Sequence, residues 1–205
     1  YDGMTTATLN GTASFSGLIG SDVVNLGGTG IGAFSDKNVG TGKTITVSGY
    51  TINGTDANNY ILSQPIGITG TINKRTLTLV GLNAIDKTYD GTTVATLDGA
   101  AAFSNIVGSD VVNLDGTGVG AFSDANAGTG KTVTVSGFSI SGADSNNYDF
   151  SQPTGLAANI NKALLTATAN NQSVTYGTTV PGSSVTYTGF VNGENNSVLD
   201  TLASV

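Results

Sequence analysis

The stretch Lys43-Thr44-Ile45-Thr46-Val47-Ser48-Gly49 indicates the structural class of the chain. Apolar and hydroxyl side chains alternate along it, which is the period of a β-strand with one buried face. Ile45 and Val47 are therefore predicted to face a core, with the hydroxyl groups outside. The stretch recurs 88 residues later as Lys131-Thr132-Val133-Thr134-Val135-Ser136-Gly137.

The repetition extends far beyond this strand. Tyr1-Asp2-Gly3 recurs as Tyr89-Asp90-Gly91, and the two copies align without a gap as far as Lys74 and Lys162. A third copy starts at Tyr176-Gly177 and continues to the last residue. Tandem, near-identical units are typical of spacers, stalks and filaments, which gain length and regularity from added copies.

Short strand signals rich in Thr, Val and Ile, bounded by Gly, Asn or Asp, fill each copy. Because about seven of them fall within one repeat, the sequence predicts an all-β fold of tandem small β-sandwiches, immunoglobulin-like, with about 88 residues each. The alternative is a parallel β-solenoid, which the Gly, Asn and Thr content suits, although no rung period near ~20 residues is found. In the first repeat, strands are predicted at residues 7–9, 13–16, 22–26, 43–48, 59–63 and 68–72.

The domain boundaries depend on the Lys-x-Leu-Thr strand that precedes Tyr89. We interpret this strand as the opening of the second repeat. Residues 1–73 are then a first repeat that lacks its first strand, residues 74–161 are a complete second repeat, and residues 162–205 are the truncated start of a third. On this interpretation the chain is a piece of a longer protein.

Differences between the two copies indicate which side chains are packed inside. Apolar substitutions that nearly conserve volume are those that a core tolerates, so we expect these positions to be interior. The pairs are Leu18/Ile106, Ile19/Val107, Ile31/Val119, Ile45/Val133, Tyr50/Phe138 and Leu62/Phe150. By the same pattern, the aromatic residues Phe15, Phe34 and Tyr60 are expected to be buried.

The composition excludes most catalytic and cofactor chemistry. The 205 residues contain no Cys and no His, which excludes zinc, haem and iron–sulfur sites and Ser-His or Cys-His catalysis. The net charge of −7 argues against a nucleic-acid surface, and no apolar run approaches the ~18 residues of a membrane span. The acidic residues are dispersed rather than paired across a cleft. We therefore expect no enzyme activity, no catalytic residues, no cofactor and no metal site.

The loop Asp56-Ala57-Asn58-Asn59-Tyr60 recurs as Asp144-Ser145-Asn146-Asn147-Tyr148. Its oxygen-rich side chains suit a structural turn; the alternative is calcium binding, for which one carboxylate per loop is few. The spacing of Asp and Tyr is similar to that of a tyrosine corner. Tyr60 and Tyr148 are therefore expected to be buried, with each hydroxyl bonded to backbone a few residues upstream.

Three further patterns have simple structural interpretations. Asp36-Lys37-Asn38 and its copy at Asp124 are predicted to form tight turns, and the Gly-rich residues 28–32 and 40–44 to be turn or bulge glycines rather than phosphate loops. Lys43 and Lys131 are predicted to be solvated at a strand edge. The alternative is an internal crosslink from Lys43 to Asp22 or Asp56.

Several motifs carry a resemblance to a known family. Tyr89-Asp90-Gly91-Thr92-Thr93, Asn38-Val39-Gly40-Thr41-Gly42-Lys43 and the Asp56 loop make residues 1–161 similar to the YDG repeats of large bacterial surface adhesins. Residues 165–200, with Val174-Thr175-Tyr176-Gly177 and Gly189-Phe190-Val191-Asn192-Gly193, resemble the related MBG repeat. The resemblance implies an extracellular, modular stalk or adhesive fibre of the kind found in haemagglutinin-like secreted proteins.

The expected function is that of a spacer that projects a distant binding region away from the cell. Its partners would be neighbouring repeats of the same longer chain, without nucleic acid and without a membrane span in this part. One alternative is a repeat that itself binds a glycan or host protein, which predicts exposed aromatic residues. Another is a filament subunit that assembles by strand exchange, with residues 162–175 of one chain completing the first repeat of another.

Overall fold

The computed structural model describes residues 1–179, 182 and 184–203. The all-β prediction is confirmed, since no α-helix occurs in these residues and three single-turn 3-10 helices are the only helical segments there. In chain order the strands are β1 (Thr6–Ala7), β2 (Asn25–Phe34), β3 (Gly40–Asn53), β4 (Ile68–Ile72), β5 (Arg75–Leu77), β6 (Leu79–Val80), β7 (Asn83–Ala84), β8 (Lys87–Thr88), β9 (Val94–Ala95), β10 (Leu97–Asp98), β11 (Ala102–Phe103), β12 (Asn113–Phe122), β13 (Gly128–Ser141), β14 (Tyr148–Phe150), β15 (Leu156–Asn161), β16 (Thr166–Ala169) and β17 (Val185–Thr188). The 3-10 helices are Ala57–Asn59, Ser145–Asn147 and Asn196–Val198.

Two larger sheets, each curled into a half-barrel, hold the long strands. The first has the order β1-β2-β3-β4, and all its neighbours are antiparallel. The second has the order β8-β15-β13-β12-β9, in which β8 and β15 are parallel. Consecutive strands joined by antiparallel pairing are incompatible with the parallel β-solenoid, so that alternative is wrong.

The remaining strands form two-stranded ladders. β5 pairs with β14 in parallel, while β6 pairs with β11, β7 with β10 and β16 with β17 in antiparallel fashion. The strands β5 to β7 all lie within residues 75–84. These three short strands therefore have three different partner strands.

The long strands continue through glycine-rich stretches. β2 starts at Asn25 and extends through residues 28–32, so the predicted strand 22–26 began and ended too early, while β3 starts at Gly40 and ends at Asn53, so the predicted strand 43–48 was too short. The register shifts between Gly28 and Ile31, and again between Gly40 and Lys43. The prediction of bulge glycines is confirmed, because a bulge absorbs an extra residue while the strand stays paired.

Each large sheet has its own core. In β3, Ile45 and Val47 are buried between exposed Thr and Ser side chains, as the alternation predicts. The first core comprises Ala7, Ile45 and Val47, packed against Leu9, Phe34, Tyr50 and Ile68. The second comprises Ala95, Phe122, Val133, Ala158 and Ile160, packed against Ala84, Tyr89, Leu97 and Leu156.

Volume conservation between the copies was an incomplete guide to the interior. Ile45 and Val133 are 7% and 1% exposed, but Ile31 and Val119 are 61% and 57% exposed. Ile31 directly follows the register shift in β2 and faces solvent. Leu18 and Ile19 are exposed as well, and the remaining predicted interior positions, including Phe15, Phe34 and Tyr60, are half-buried. Conservative substitution is tolerated on an exposed strand face as readily as in a core.

The chain divides into two compact units whose limits differ from those of the repeats. Unit 1 contains Tyr1–Thr78, Ser104–Leu114 and Ile140–Ser151, and unit 2 contains Leu79–Phe103, Asp115–Ser139 and Gln152–Val205. The middle repeat contributes to both. The boundaries 1–73, 74–161 and 162–205 stay a prediction from sequence. Within the described residues there is no helix that could cross a membrane.

Candidate functional site

The Tyr-Asp-Gly motif folds as a turn that holds its tyrosine in place. In the second copy, Asp90 Oδ1 accepts hydrogen bonds from the Thr92 amide at 2.9 Å and from Lys87 Nζ at 2.8 Å. Hydrogen bonds lower the pKa of Asp90 to about 2. The bond from the Lys87 ammonium has the largest effect, and the bonds from Thr92 come next. Tyr89 directly precedes Asp90, and its hydroxyl bonds a different carboxylate, that of Glu194.

In unit 1 the equivalent tyrosine, Tyr1, reaches Asp110 of the second repeat. Tyr1 donates its hydroxyl to Asp110 Oδ2 at 2.7 Å, and Tyr148 donates to the same oxygen at 2.8 Å. Lys37 Nζ bonds Asp110 Oδ1 at 3.1 Å and lies 3.9 Å from Asp144 Oδ1. The Asp110 side chain is only 5% exposed, so two phenols and an ammonium surround one nearly buried carboxylate. We refer to these five residues as the Asp110 site.

A tight turn presents Asp110 to its partners. The Asp110 amide donates to the Val107 carbonyl at 3.0 Å, and Gly108 between them has φ of 51°. The Val107 amide donates to the Tyr148 hydroxyl at 2.8 Å. The Tyr148 phenol thus accepts from the start of the turn and donates to its end. Tyr1 packs edge-on against the Tyr148 ring, with centroids 5.7 Å apart.

The electrostatics favour an ionised Asp110. Burial by itself raises the pKa of this carboxyl, but hydrogen bonds from Tyr1, Tyr148 and Lys37 outweigh burial and hold the pKa below its usual value. Burial, and then the hydrogen bond to Asp110, raises the pKa of Tyr1. The hydrogen bond to Asp110 is also the main cause of the raised pKa of Lys37. The Asp110 site is therefore a charged, fully bonded contact at neutral pH.

The loop of residues 144–148 bonds backbone amides next to the Asp110 site. Asp144 Oδ2 accepts the Val111 amide at 2.9 Å, and Asn147, 4% exposed, accepts the Val39 amide at 2.9 Å. In the first repeat, Asp56 Oδ2 accepts the Val23 amide at 2.8 Å. The loop carboxylates thus bond backbone amides, which matches the structural-turn interpretation. No group of three or more potential metal ligands occurs in the part of the chain that the structure describes.

A second site of the same kind lies within unit 2. Tyr89 donates its hydroxyl to Glu194 of the third repeat, and this hydrogen bond is the main cause of the raised pKa of Tyr89. The Glu194 amide donates to the Val191 carbonyl at 3.0 Å, and Asn192 has φ of 50°. The turn therefore has the hydrogen bond and the left-handed residue of the Asp110 turn. A cavity of about 300 Å³, lined in part by Tyr89 and Phe190, lies beside it.

The first repeat has the same turn without a tyrosine from another repeat. Tyr60 donates to Asp22 Oδ2 at 2.7 Å and accepts from the Ile19 amide at 2.9 Å. Gly20 has φ of 55°, and the Asp22 amide donates to the Ile19 carbonyl at 3.2 Å. Within the described residues, no second phenol and no lysine bonds to Asp22. Tyr60 is half-buried, whereas Tyr148 is 2% exposed.

The structure corrects the tyrosine-corner hypothesis in part. Both hydroxyls are hydrogen-bonded as expected, and Tyr148 is buried. Their partners, however, are an amide 41 residues upstream and a carboxylate 38 residues upstream, rather than nearby backbone. The reason is that the turn bearing Asp22 or Asp110 packs across the loop that ends at the tyrosine.

The predicted solvated lysines are also wrong. The side chains of Lys43 and Lys131 are 11% exposed, and each Nζ lies 2.6 Å from a carboxylate seven residues earlier, Asp36 or Asp124. Lys43 therefore reaches neither Asp22 nor Asp56. The tight turn at Asp36 is confirmed, since Asp36 Oδ1 accepts the Asn38 amide at 2.8 Å.

The sequence interpretation missed the residues that matter most at these contacts, namely Tyr1, Lys37, Asp110 and Glu194. A signal was present in the sequence. Gly20-Ser21-Asp22 recurs as Gly108-Ser109-Asp110, and the single Glu of the chain follows Asn192-Gly193. What the sequence did not show is that Asp110 and Glu194 each bond a tyrosine more than 100 residues away.

Comparison with known proteins agrees with the sequence motifs. A family model of the YDG domain matches residues 1–67 and 73–155, and a model of the MBG domain (YGX type) matches residues 165–205. These matches confirm the resemblance to the two domain types. No curated protein and no solved structure matches the chain. Because the YDG matches cover well over half of the 205 residues, the chain belongs to the YDG domain family.

Proposed function

We propose that this chain is a structural spacer segment of an extracellular bacterial adhesin or surface fibre, in which joined repeats hold a binding region away from the cell. One observation carries the proposal. The tyrosine of the Tyr-Asp-Gly motif bonds a carboxylate of the repeat that follows, both at Tyr1–Asp110 and at Tyr89–Glu194. A contact that recurs from repeat to repeat is what a regular array requires.

The chemistry of the Asp110 site resists bending of the joint. Separating the two repeats would remove the Tyr1 and Lys37 donors from a carboxylate that is only 5% exposed. Removing hydrogen-bond donors from a buried charge costs more free energy than the same hydrogen bonds contribute when they are exposed to water. The joint between the first and second repeats is therefore stiff, which suits a spacer.

Each YDG repeat is taken to be a small immunoglobulin-like β-sandwich, and the partners are neighbouring repeats of the same longer chain. The chain is taken to have no enzymatic role and to need no cofactor. The bacterial surface setting rests on the resemblance to adhesin repeats, and the net charge of −7 favours solubility there.

The second candidate is a repeat that itself binds a glycan or host protein. One observation favours it, since Tyr176 is fully exposed at 103%. Tyr176, however, begins the third copy at the place that Tyr1 and Tyr89 take in the first two. An exposed tyrosine at this position is equally suited to bond the carboxylate turn of a further repeat, so the spacer function explains it without a foreign ligand.

Spin-label distance measurements test the stiffness of the joint. The chain lacks cysteine, so nitroxides can be attached through Ile31→Cys and Val111→Cys, two exposed positions of unit 1 that belong to different repeats. We expect a narrow distance distribution that broadens in Asp110→Ala. The matched control, Asp22→Ala, should leave the width unchanged. A broad distribution in the chain with native Asp110 would contradict the spacer function.

A separate experiment tests the cellular setting. Antibodies raised against the chain should label intact cells of the producing bacterium, and brief protease treatment of those cells should remove the signal. Labelling that requires permeabilised cells would exclude an extracellular spacer, whatever the stiffness of the joint.

A further inference from the structure

One difference between the two YDG repeats lies in the Asp110 site. Lys37 of the first repeat corresponds to Ala125 of the second, 88 residues later. The turn that carries this position is the same in both copies, since Asp36 and Asp124 each accept the amide two residues later at 2.8 Å. The two repeats therefore present the position on the same kind of turn and differ in whether an ammonium extends from it.

The Lys37 ammonium faces two carboxylates of the repeat that follows. Its Nζ lies 3.1 Å from Asp110 Oδ1 and 3.9 Å from Asp144 Oδ1. The two acidic side chains are only 5% and 22% exposed, and solvent screens charges in such positions weakly. One ammonium thus offsets the repulsion between two partly buried carboxylates.

Hydrogen bonds of the next two residues hold Lys37 beside these acids. The Val39 amide donates to Asn147 Oδ1 at 2.9 Å, and Asn147 Nδ2 donates to Asn38 Oδ1 at 3.3 Å. Asn147 belongs to the same loop as Asp144. The lysine therefore extends from a segment that is itself bonded to the following repeat, which reduces the conformational entropy lost when the ammonium meets the carboxylates.

The repeat that follows Ala125 presents a different surface. Within unit 2, residues 126–127 line a cavity together with Glu194 and the apolar Val198. Lys162 lines the same cavity. This joint thus combines apolar side chains with a carboxylate that has another lysine nearby, and Ala125 adds no charge to it.

We propose that the side chain at this position selects the kind of repeat that a YDG repeat precedes. A lysine, as at position 37, fits a following YDG repeat, because that repeat presents Asp110 and Asp144 close together. An alanine, as at position 125, fits a following MBG repeat, which presents Glu194 beside apolar side chains. The inference rests on the proposed function, in which repeats are joined in an array, and it adds a rule for their order.

A mismatched side chain is disfavoured at either joint. Alanine opposite Asp110 and Asp144 leaves two partly buried carboxylates without an ammonium, and an uncompensated buried charge is costly. Lysine opposite Val198 loses part of its hydration to an apolar side chain without gaining a second carboxylate. Attraction to the right partner and mismatch with the wrong one together produce specificity.

Hydrogen exchange of three equivalent turn amides in the full chain tests the proposal. The Asp110 and Glu194 amides each donate to the carbonyl three residues earlier at 3.0 Å, and the Asp22 amide makes the same bond at 3.2 Å. The first two amides report on one joint of each kind. The Asp22 amide is the reference, because Asp22 lies in the turn of the first repeat itself and Lys37 bonds to Asp110 instead.

Two matched substitutions change the charge at each joint. Lys37→Met keeps a long side chain and removes the ammonium, so exchange of the Asp110 amide should accelerate about tenfold while the Asp22 amide keeps its native rate. Ala125→Lys adds an ammonium at the other joint, where exchange of the Glu194 amide should not slow by more than about twofold.

Three outcomes would overturn the proposal. The first is an acceleration of less than about twofold at Asp110 in Lys37→Met, and the second is an acceleration that extends equally to Asp22. The third is a slowing of more than about twofold at Glu194 in Ala125→Lys, because lysine would then suit both kinds of partner. The spin-label distances of the native chain test the spacer function separately. They can stay narrow while the exchange rates do not respond to position 37, so the two failures are distinguishable.

Discussion

At the residue scale, two tyrosines at equivalent positions differ in burial and in the number of groups that share their carboxylate. Tyr148 is buried and shares Asp110 with Tyr1 and Lys37, whereas Tyr60 is half-buried and bonds Asp22 without a second phenol among the described residues. The same loop sequence thus produces a solvent-shielded contact in one repeat and a partly open one in the other. Tyr148 also packs edge-on against Tyr1 of the first repeat, and its strand pairs with Arg75–Leu77, so the difference comes from packing and not from the local sequence.

Replacement of these tyrosines measures that difference. Tyr148→Phe removes the acceptor of the Val107 amide and one donor to a buried carboxylate, so we expect a loss of about 1.5–3 kcal/mol in local stability. Hydrogen exchange of the Val107 amide should accelerate accordingly. In the control Tyr60→Phe, the Ile19 amide should change less, because water can replace the phenol at a half-buried site. Equal acceleration in both variants would show that the closer packing around Tyr148 adds nothing.

At the element scale, glycine bulges allow the strands to be long. Gly116 in β12 has φ of 84°, and a Cβ there would overlap the carbonyl oxygen of Gly137 on β13. Gly130 in β13 also has a positive φ, 58°, but no atom lies within 4 Å of its would-be Cβ. Backbone conformation alone constrains Gly130, while conformation and close strand approach together constrain Gly116.

These two glycines make a matched pair of substitutions. Gly130→Ala should lower the free energy of unfolding by about 1–2 kcal/mol, the cost of a left-handed conformation for a residue with a side chain. Gly116→Ala should cost more, because the β12–β13 ladder must also move apart. Urea denaturation of both variants gives the comparison. If Gly130→Ala proves the more harmful, then the close approach of β12 to β13 is not what fixes glycine at position 116.

At the scale of the whole molecule, carboxylates hold together parts of the chain that are distant in sequence. Asp86 accepts the Asn159 amide at 2.7 Å, Asp110 binds Tyr1, and Glu194 binds Tyr89. Hydrogen bonds to Asp86 and Asp110 lower the pKa of both carboxyls. Stability should therefore decrease in acid, when these groups take up protons.

The contribution of Asp110 can be isolated with Asp110→Asn. The pKa of Asp110 in the folded chain lies below its unfolded value of about 3.9. Its stabilising contribution is thus complete above about pH 4 and is lost as the pH falls through the folded pKa. The difference in unfolding free energy between the native chain and Asp110→Asn should be constant near neutral pH and shrink in acid. A difference that does not change with pH would mean that the charge of Asp110 is not what binds Tyr1 and Lys37.

The sequence by itself determined the local features of this protein. Alternation in residues 43–49 determines a β-strand with Ile45 and Val47 buried, the glycines determine bulges, and Asp36 determines a turn. Each depends on steric and hydrogen-bonding preferences within a few residues, which the copy 88 residues later repeats.

Only the tertiary structure decided which side chains face the core and which distant residues come into contact. Ile31 and Val119 have the character of core residues and face solvent, because the position of a bulge sets the direction of a side chain. Asp110 is an ordinary turn carboxylate in sequence and becomes a buried site because Tyr1 and Lys37 arrive from the neighbouring repeat. Such contacts depend on how separate segments pack, and no period or motif within one segment encodes that packing.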